Sequence, residues 1–335
     1  MSRREDILDL LSGKKIGSQL SFSGLIHVTA EGLEHEGLSL HEVHHDAGKM
    51  ARAAASTFKL TGMPSATLPL DLCAPAEALG AELLFYGDEE LQFPQVKKLL
   101  FTSAHQVVEY FSHSKINART MGRIPLISEA IESTKKDIGE KAVISGLIPG
   151  PYTLLIYICK VQNLFSEMKS EPDVVLDALG FLTEFLADIA NVYVDAGADY
   201  ITIHDMGGSA GFIGPAKYEQ FVYPSEKGLI ERLPKPCVLS VCGRMDTSLH
   251  LLAQTGADAV SVDHMTDLKS AREAMRDTLL FGNIDPVETL LRGDDADIAE
   301  AVQGAKEADV DAVWPGCDIV LSTPLRNIQL LNNVT

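Results

Sequence analysis

Short apolar runs alternate along the chain with longer stretches in which apolar residues recur at intervals of three and four. The runs are "QLSFSGLIHV" (19–28), "ATLPLDL" (66–72), "KAVISGLI" (141–148), "DYITIHD" (199–205), "CVLSVCG" (237–243), "AVSVDH" (259–264), "LLFGNID" (279–285) and "AVWPGC" (312–317). Several are nearly continuous in apolar residues, the pattern of strands covered on both faces. Between them lie helical patterns such as "PDVVLDALGFLTEFLADIANVYVDAG", which ends on glycine as helices commonly do.

Eight strands separated by helices predict an α/β fold, a (β/α)8 TIM barrel, with a doubly wound open sheet as the alternative. The later chain supports the barrel by repeating one phrase, helix end, acidic turn and strand, in "AGADYITIHD", "TGADAVSVDH" and "EADVDAVWPG". "SRRE" matches a capping box, Ser2 with Glu5, and predicts a helical extension over residues 1–18 outside the barrel. Residues 31–62 and 86–140 read as longer insertions, mostly helical. No linker or low-complexity tract interrupts the pattern, so one domain over 1–335 is expected.

Composition narrows the function classes. The chain has 335 residues, 46% of them apolar, which is ample for a large core. No stretch approaches the roughly 20 apolar residues of a membrane span, and "MSRREDILDL" lacks a signal-like apolar region, so a cytoplasmic protein is expected. Five cysteines, odd in number and scattered, suit free thiols in a reducing compartment better than a disulfide framework. With 28 basic against 47 acidic residues the net charge is -19, which argues against nucleic-acid and anionic-membrane partners.

Barrel chemistry sits at the C-terminal ends of the strands. That rule selects His27, Asp71, Ser145, His204 with Asp205, Cys242, Asp263 with His264, Asp285 and Cys317. Two other motifs compete weakly. "HEVHHDAG" (41–48) puts His41 and His45 at helical spacing without the HExxH order, and reads best as a solvated face. "GGSAGFIG" (207–214) matches no phosphate-binding fingerprint and reads as a flexible loop after the fourth strand.

These residues resemble the uroporphyrinogen decarboxylase superfamily, which includes the cobamide-dependent methyltransferases that methylate coenzyme M. The resemblance rests on "LPLDLCAPAEALGAEL", with Asp71 as the family aspartate, on "GPYTLLIY" (150–157), and on "AGADYITIHDMGG…FIGPAKYEQFVYP". Decarboxylases carry an arginine-rich segment after the first strand and a histidine turn after the last. Here the matching stretches read "SGLIHVTAEGLEHEG", with three glutamates and no arginine, and "PGCD". The methyltransferase branch is more similar: its zinc site combines an HxCG stretch with a late GC turn, and Cys242 and Cys317 match the two cysteines. The histidine position holds Ser240, a poor zinc ligand. Replacements considered are His204, Asp263, His264 and Glu77, of which His204 is preferred over its ordinary reading as a core histidine bonded to a carbonyl.

The resemblance implies one zinc ion per chain on Cys242, Cys317 and His204, converting an acceptor thiol to a thiolate. A methyl-corrinoid supplied by a partner corrinoid protein would be the donor, and the acceptor a small molecule such as coenzyme M or tetrahydrofolate. A homodimer is the candidate assembly. Asp71 would orient a ligand or neutralise charge. Two alternatives stand beside this reading: a tetrapyrrole decarboxylase using Asp71 and Tyr157, and a non-catalytic barrel that binds a corrinoid or its carrier.

Overall fold

In a computed structural model, which describes residues 3–17 and 19–334, the apolar runs become eight parallel strands: β1 (Leu20–Ser21), β2 (Ser65–Leu68), β3 (Val143–Pro149), β4 (Tyr200–Asp205), β5 (Cys237–Val241), β6 (Ala259–Val262), β7 (Leu279–Phe281) and β8 (Ala312–Val313). Their order is β1-β8-β7-β6-β5-β4-β3-β2, every pair parallel. Side chains bridge the seam that remains: Ser23 N donates to Ser65 Oγ (3.0 Å) and Thr67 Oγ1 donates to the Ser23 carbonyl (3.4 Å). The sheet thus curls into an α/β barrel with helices between the strands.

Strand side chains alternate between faces, so every second residue points into the barrel. The lower interior is aromatic: Phe22, Tyr200, Phe281 and Trp314 are buried, with Phe22 5.1 Å from Trp314 and 5.5 Å from Phe281, ring centre to ring centre, both edge to face. Such pairs add about 0.5–1.5 kcal/mol each beyond area burial. Above them Ser145 Oγ and Thr202 Oγ1 hydrogen-bond at 2.8 Å. Gly24 completes this layer because a Cβ there would overlap Thr202 Oγ1 and come within 2.8 Å of the Trp314 ring.

The helix Arg3–Leu11 buries Ile7, Leu10 and Leu11 in the same cluster as Tyr200, Val238 and Phe281, and so plugs the N-terminal end of the barrel. Arg4 anchors it on Asp199 at 2.7 Å. This helix is shorter than the 1–18 span expected, because a turn begins at Ser12; of its capping box, Ser2 lies outside the described residues.

Three further expectations change. Regular pairing in β1 and β8 covers two residues each, since the chain there bends away to build the mouth. Ser145 lies inside the barrel, in the middle of β3 rather than at its end. The 86–140 insertion also contains a strand, Gln95–Lys98, which forms an antiparallel hairpin with Glu82–Leu84; its short, mostly exposed strands lack the apolar signature of the barrel strands. No helix of the described residues is long and apolar enough to cross a membrane.

Candidate metal centre

Tyr200 and Val238 belong to the barrel interior, so two residues further along each strand Thr202 and Ser240 also face inward, and two further still His204 and Cys242 reach the top layer. His204 and Ser240 are direct register partners on β4 and β5. His204 thus stands on β4 directly beside Ser240 on β5. Cys242 follows β5, its N–H bonded to the Asp205 carbonyl at 2.9 Å.

Cys317 arrives from the turn after β8. Gly316 allows this approach: a Cβ there would lie 2.7 Å from the His264 nitrogen, and its own N–H binds the Ile284 carbonyl at 2.8 Å. His204 Nε2 is 3.8 Å from Cys317 Sγ. The ligand atoms of His204, Cys242 and Cys317 all lie within 4.8 Å of one another.

Cys242 and Cys317 are paired as a disulfide, with Cα atoms 6.0 Å apart, whereas the scattered cysteines had suggested free thiols throughout. Cys73, Cys159 and Cys237 are free and buried. Once reduced, the pair offers two thiolates beside an imidazole. That donor set suits zinc: two sulfurs and one nitrogen, with a fourth position left for an exogenous ligand, are the composition of a catalytic zinc site. His204 is wholly buried and its Nδ1 has no partner among the described residues. It is not the carbonyl-bonded core histidine of the ordinary reading.

The neighbouring carboxylates are engaged, Asp205 through Oδ1 alone, its buried Oδ2 having no hydrogen-bond partner among the described residues. Asp205, on the outward face of β4, accepts the Thr153 hydroxyl (2.8 Å) and the N–H groups of Gly207 (3.1 Å) and Gly208 (2.6 Å). Burial nonetheless raises its pKa. The start of the glycine-rich loop is thus anchored at Asp205 and continues as the short helix Ala210–Ile213. Asp263 accepts the N–H groups of Gly243 and Met265, both at 2.9 Å, and lies 2.9 Å from His264 Nδ1; Asp285 faces the other ring nitrogen at 3.5 Å. Asp263 and His264, considered as replacement ligands, are therefore occupied with each other.

Asp71 anchors a second cluster on the β2 side. Arg123 grips its two oxygens at 3.0 and 3.2 Å, Cys73 N–H donates at 2.9 Å, and His44 Nδ1 stands 3.3 Å away. Arg123 Nε also binds Glu77 at 2.6 Å, and the guanidinium lies over the Phe85 ring, 5.1 Å from its centre. Glu77 is thus an arginine partner, remote from the ligand triad. Burial alone would raise the Asp71 pKa; the Arg123 charge, aided by His44, reverses that and holds it well below the usual carboxylate range. Burial lowers the His44 pKa.

Sequence reasoning missed Arg123 and His44. The first lies in a presumed insertion, 52 residues from its partner. The second sits inside "HEVHHDAG", where attention fell on His41 and His45, which are exposed and stack on each other at 4.5 Å. His27 is buried, its ring nitrogens against the carbonyls of Leu25 (2.7 Å) and Ser65 (3.1 Å). It fastens the β1–β2 seam.

A cavity of about 390 Å³ opens beside these groups, lined by Ile26, Asp71, Phe93, Tyr157, Met206 and Leu321 among others. Tyr157 is half-buried, its hydroxyl 4.0 Å from Met206 Sδ, and burial raises its pKa. The walls are mainly apolar.

The sequence profile described as "Uroporphyrinogen decarboxylase (URO-D)" matches residues 26–335. The methylcobamide:CoM methyltransferase MtbA of Methanosarcina acetivorans is 31% identical over 306 residues, 90% of this chain and 88% of that protein. The methylcobamide:CoM methyltransferase MtaA of Methanosarcina barkeri is 28% identical over 333 residues, 97% and 95% of the two chains. A uroporphyrinogen decarboxylase of Citrifermentans bemidjiense is 28% identical over 236 residues, 68% of this chain and 66% of that protein. Among solved structures, a methyltransferase from Methanosarcina mazei superposes with a TM-score of 0.92 at 26% identity, covering 100% of this chain and 98% of that one.

Proposed function

We propose that this chain, which belongs to the uroporphyrinogen decarboxylase family, is a corrinoid-dependent methyltransferase that moves a methyl group from a methyl-corrinoid, presented by a partner protein, to the thiol of coenzyme M. The observation that carries this reading is the convergence of His204, Cys242 and Cys317 at the open end of the barrel. The names of the similar archaeal enzymes supply the donor and the acceptor.

In the reduced state Cys242, Cys317 and His204 would hold one zinc ion, which when bound supplies the Lewis acidity that turns an acceptor thiol into a thiolate near neutral pH. The rest of the chemistry is positional. The aromatic layer below the triad closes the barrel floor, so an acceptor can approach only from the mouth. Two cysteine thiolates would offset the charge of the ion, which favours an electron-rich acceptor sulfur. The largely apolar cavity lined by Ile26, Tyr157, Met206 and Leu321 would offer a surface against which the face of a corrin packs. The methyl carbon passes from cobalt to sulfur, and the corrinoid leaves with the electron pair of the broken bond.

The decarboxylase alternative asks Asp71 to meet substrate directly. Here that carboxylate is wholly buried and engaged by Arg123, His44 and the Cys73 N–H, which disfavours the role. No relative described above bears the name of a folate-methylating enzyme, so the thiol acceptor is preferred.

The test is methyl transfer from methylcobalamin to coenzyme M by reduced, zinc-reconstituted protein, alongside zinc content. We expect about one zinc per chain and thioether formation, with both lost in Cys242→Ala and in Cys317→Ala. Methyl transfer that persists in zinc-free protein would sink the metal part of the reading. Coproporphyrinogen formed from uroporphyrinogen would replace it altogether.

A further inference from the structure

An acceptor carrying a sulfonate must bring its negative charge to an acidic mouth. Asp263, Asp285 and Asp318 stand on strand ends or turns there, and the chain as a whole carries -19. The thiol end has its site in the triad; the other end needs a cation.

We propose that Arg244 is the residue that recognises the sulfonate of the methyl acceptor, a specificity determinant that rests on the methyltransferase reading above. Arg244 follows Cys242 by two positions, so two trans peptide links of 3.80 Å put the two Cα atoms within about 7.6 Å. Its side chain is exposed and has no hydrogen-bond or ion-pair partner among the described residues. Every other described arginine except Arg276 is already bonded to an acidic side chain or to a carbonyl oxygen. Arg276 stands with Thr278 and Leu279 at the start of β7, the opposite end of the barrel.

The backbone that carries Arg244 is fixed from three sides. Its carbonyl accepts Gly211 N–H at 2.9 Å, and a Cβ on Gly211 would crowd that carbonyl at 3.0 Å and the Arg244 Cβ at 3.1 Å. On one flank Gly243 N–H is held by Asp263 at 2.9 Å, with Gly243 at φ +104. On the other, Met245 is buried and its N–H is held by Thr266 Oγ1 at 3.0 Å. Glycine is required at 243 for that positive φ. The loops after β4, β5 and β6 are thereby locked together, and only the arginine side chain is left free to order on binding. A planar guanidinium offers two parallel N–H groups to a sulfonate, a fit that a lysine cannot reproduce.

The test compares two thiols with methylcobalamin as donor: coenzyme M, and ethanethiol, which has no sulfonate. In Arg244→Ala the ratio of kcat/KM for coenzyme M to that for ethanethiol should fall about tenfold, through KM rather than kcat, and Arg244→Lys should recover only part of it. An unchanged ratio overturns the proposal. So does an effect confined to the KM of methylcobalamin, which would give the arginine to an anionic group of the corrinoid. Calorimetric binding of ethanesulfonate needs no turnover: the wild type should bind it about tenfold more tightly than Arg244→Ala, and equal binding overturns the proposal. If neither thiol is methylated, the methyltransferase reading fails, while the ethanesulfonate comparison still decides Arg244.

Discussion

The mouth of the barrel holds two clusters of similar polarity and opposite condition. On the β2 side Asp71, Arg123 and Glu77 satisfy one another, the arginine fork filling both oxygens of one carboxylate and its Nε taking a second, while the buried His44 ring stands 3.3 Å from Asp71 without a hydrogen bond. On the β4–β5 side His204, Cys242 and Cys317 face one another across distances of up to 4.8 Å, with a buried imidazole nitrogen left unpartnered. The carboxylates of the first cluster have spent their charge on Arg123, whereas the sulfurs and imidazole of the second are paired only with one another. An unfinished cluster, rigidly supported, is where a ligand belongs.

The comparison breaks most visibly if Arg123 is removed. Arg123→Met leaves the Asp71 carboxylate buried without its counter-ion, a defect that costs about 3–5 kcal/mol. We expect denaturant unfolding to show a loss of that order. Adding Asp71→Leu should restore most of it, since an apolar pair replaces a buried ion pair at little net cost. A single variant as stable as wild type would mean that the cluster is solvated and that Asp71 is free for substrate after all.

The triad should respond in the opposite way, with little effect on folding and a large one on metal. His204→Ser is expected to lower zinc affinity by more than about 100-fold, beyond the 10–100-fold typical of losing an outer-sphere partner. Because His204 and Ser240 are register partners, the exchange His204→Ser with Ser240→His should recover much of the loss, measured by competition with a chromogenic chelator. If the exchanged protein binds no better than the single variant, then β4 cannot be traded for β5 at this position and the register argument fails.

The two clusters were also unequally legible in the sequence. The three residues of the triad were among those that strand ends select, because apolar runs locate strands and each run stops near the residue it presents, and the family resemblance then singled out the cysteines: "DYITIHD" ends with His204 and Asp205, and "CVLSVCG" with Cys242 and Gly243. The Asp71 cluster could not be read this way. Its arginine precedes the helix Ile124–Ile138 and its histidine follows the helix Leu40–Val43, and no local pattern links them to β2. The same limit explains Ser145, which lies inside the strand Val143–Pro149 rather than at its end, and the exposed hairpin at Glu82–Leu84 and Gln95–Lys98. What periodicity locates is the backbone; which distant side chains then neutralise a buried charge is decided in three dimensions.

The smallest effect, and the one that separates the clusters by charge alone, is in acid. The Asp71 pKa is held below its unfolded value of about 4. A folded pKa that is depressed gives stability that is complete above the unfolded value and is lost as pH falls through the folded one. Asp71→Asn removes this titration while Arg123 keeps Glu77. This titration alone leaves the stability gap between wild type and variant constant above about pH 4 and narrows it below, by at most about 1.4 kcal/mol per pH unit for one proton. His44, whose pKa burial lowers and Asp71 partly restores, costs stability from about pH 6.5 downward in both proteins, and costs more in the variant, which lacks the opposing carboxylate. A gap that first widens as pH falls below about 6.5, before Asp71 itself titrates, would show that His44 draws its environment from Asp71 and that the groups titrate as one unit.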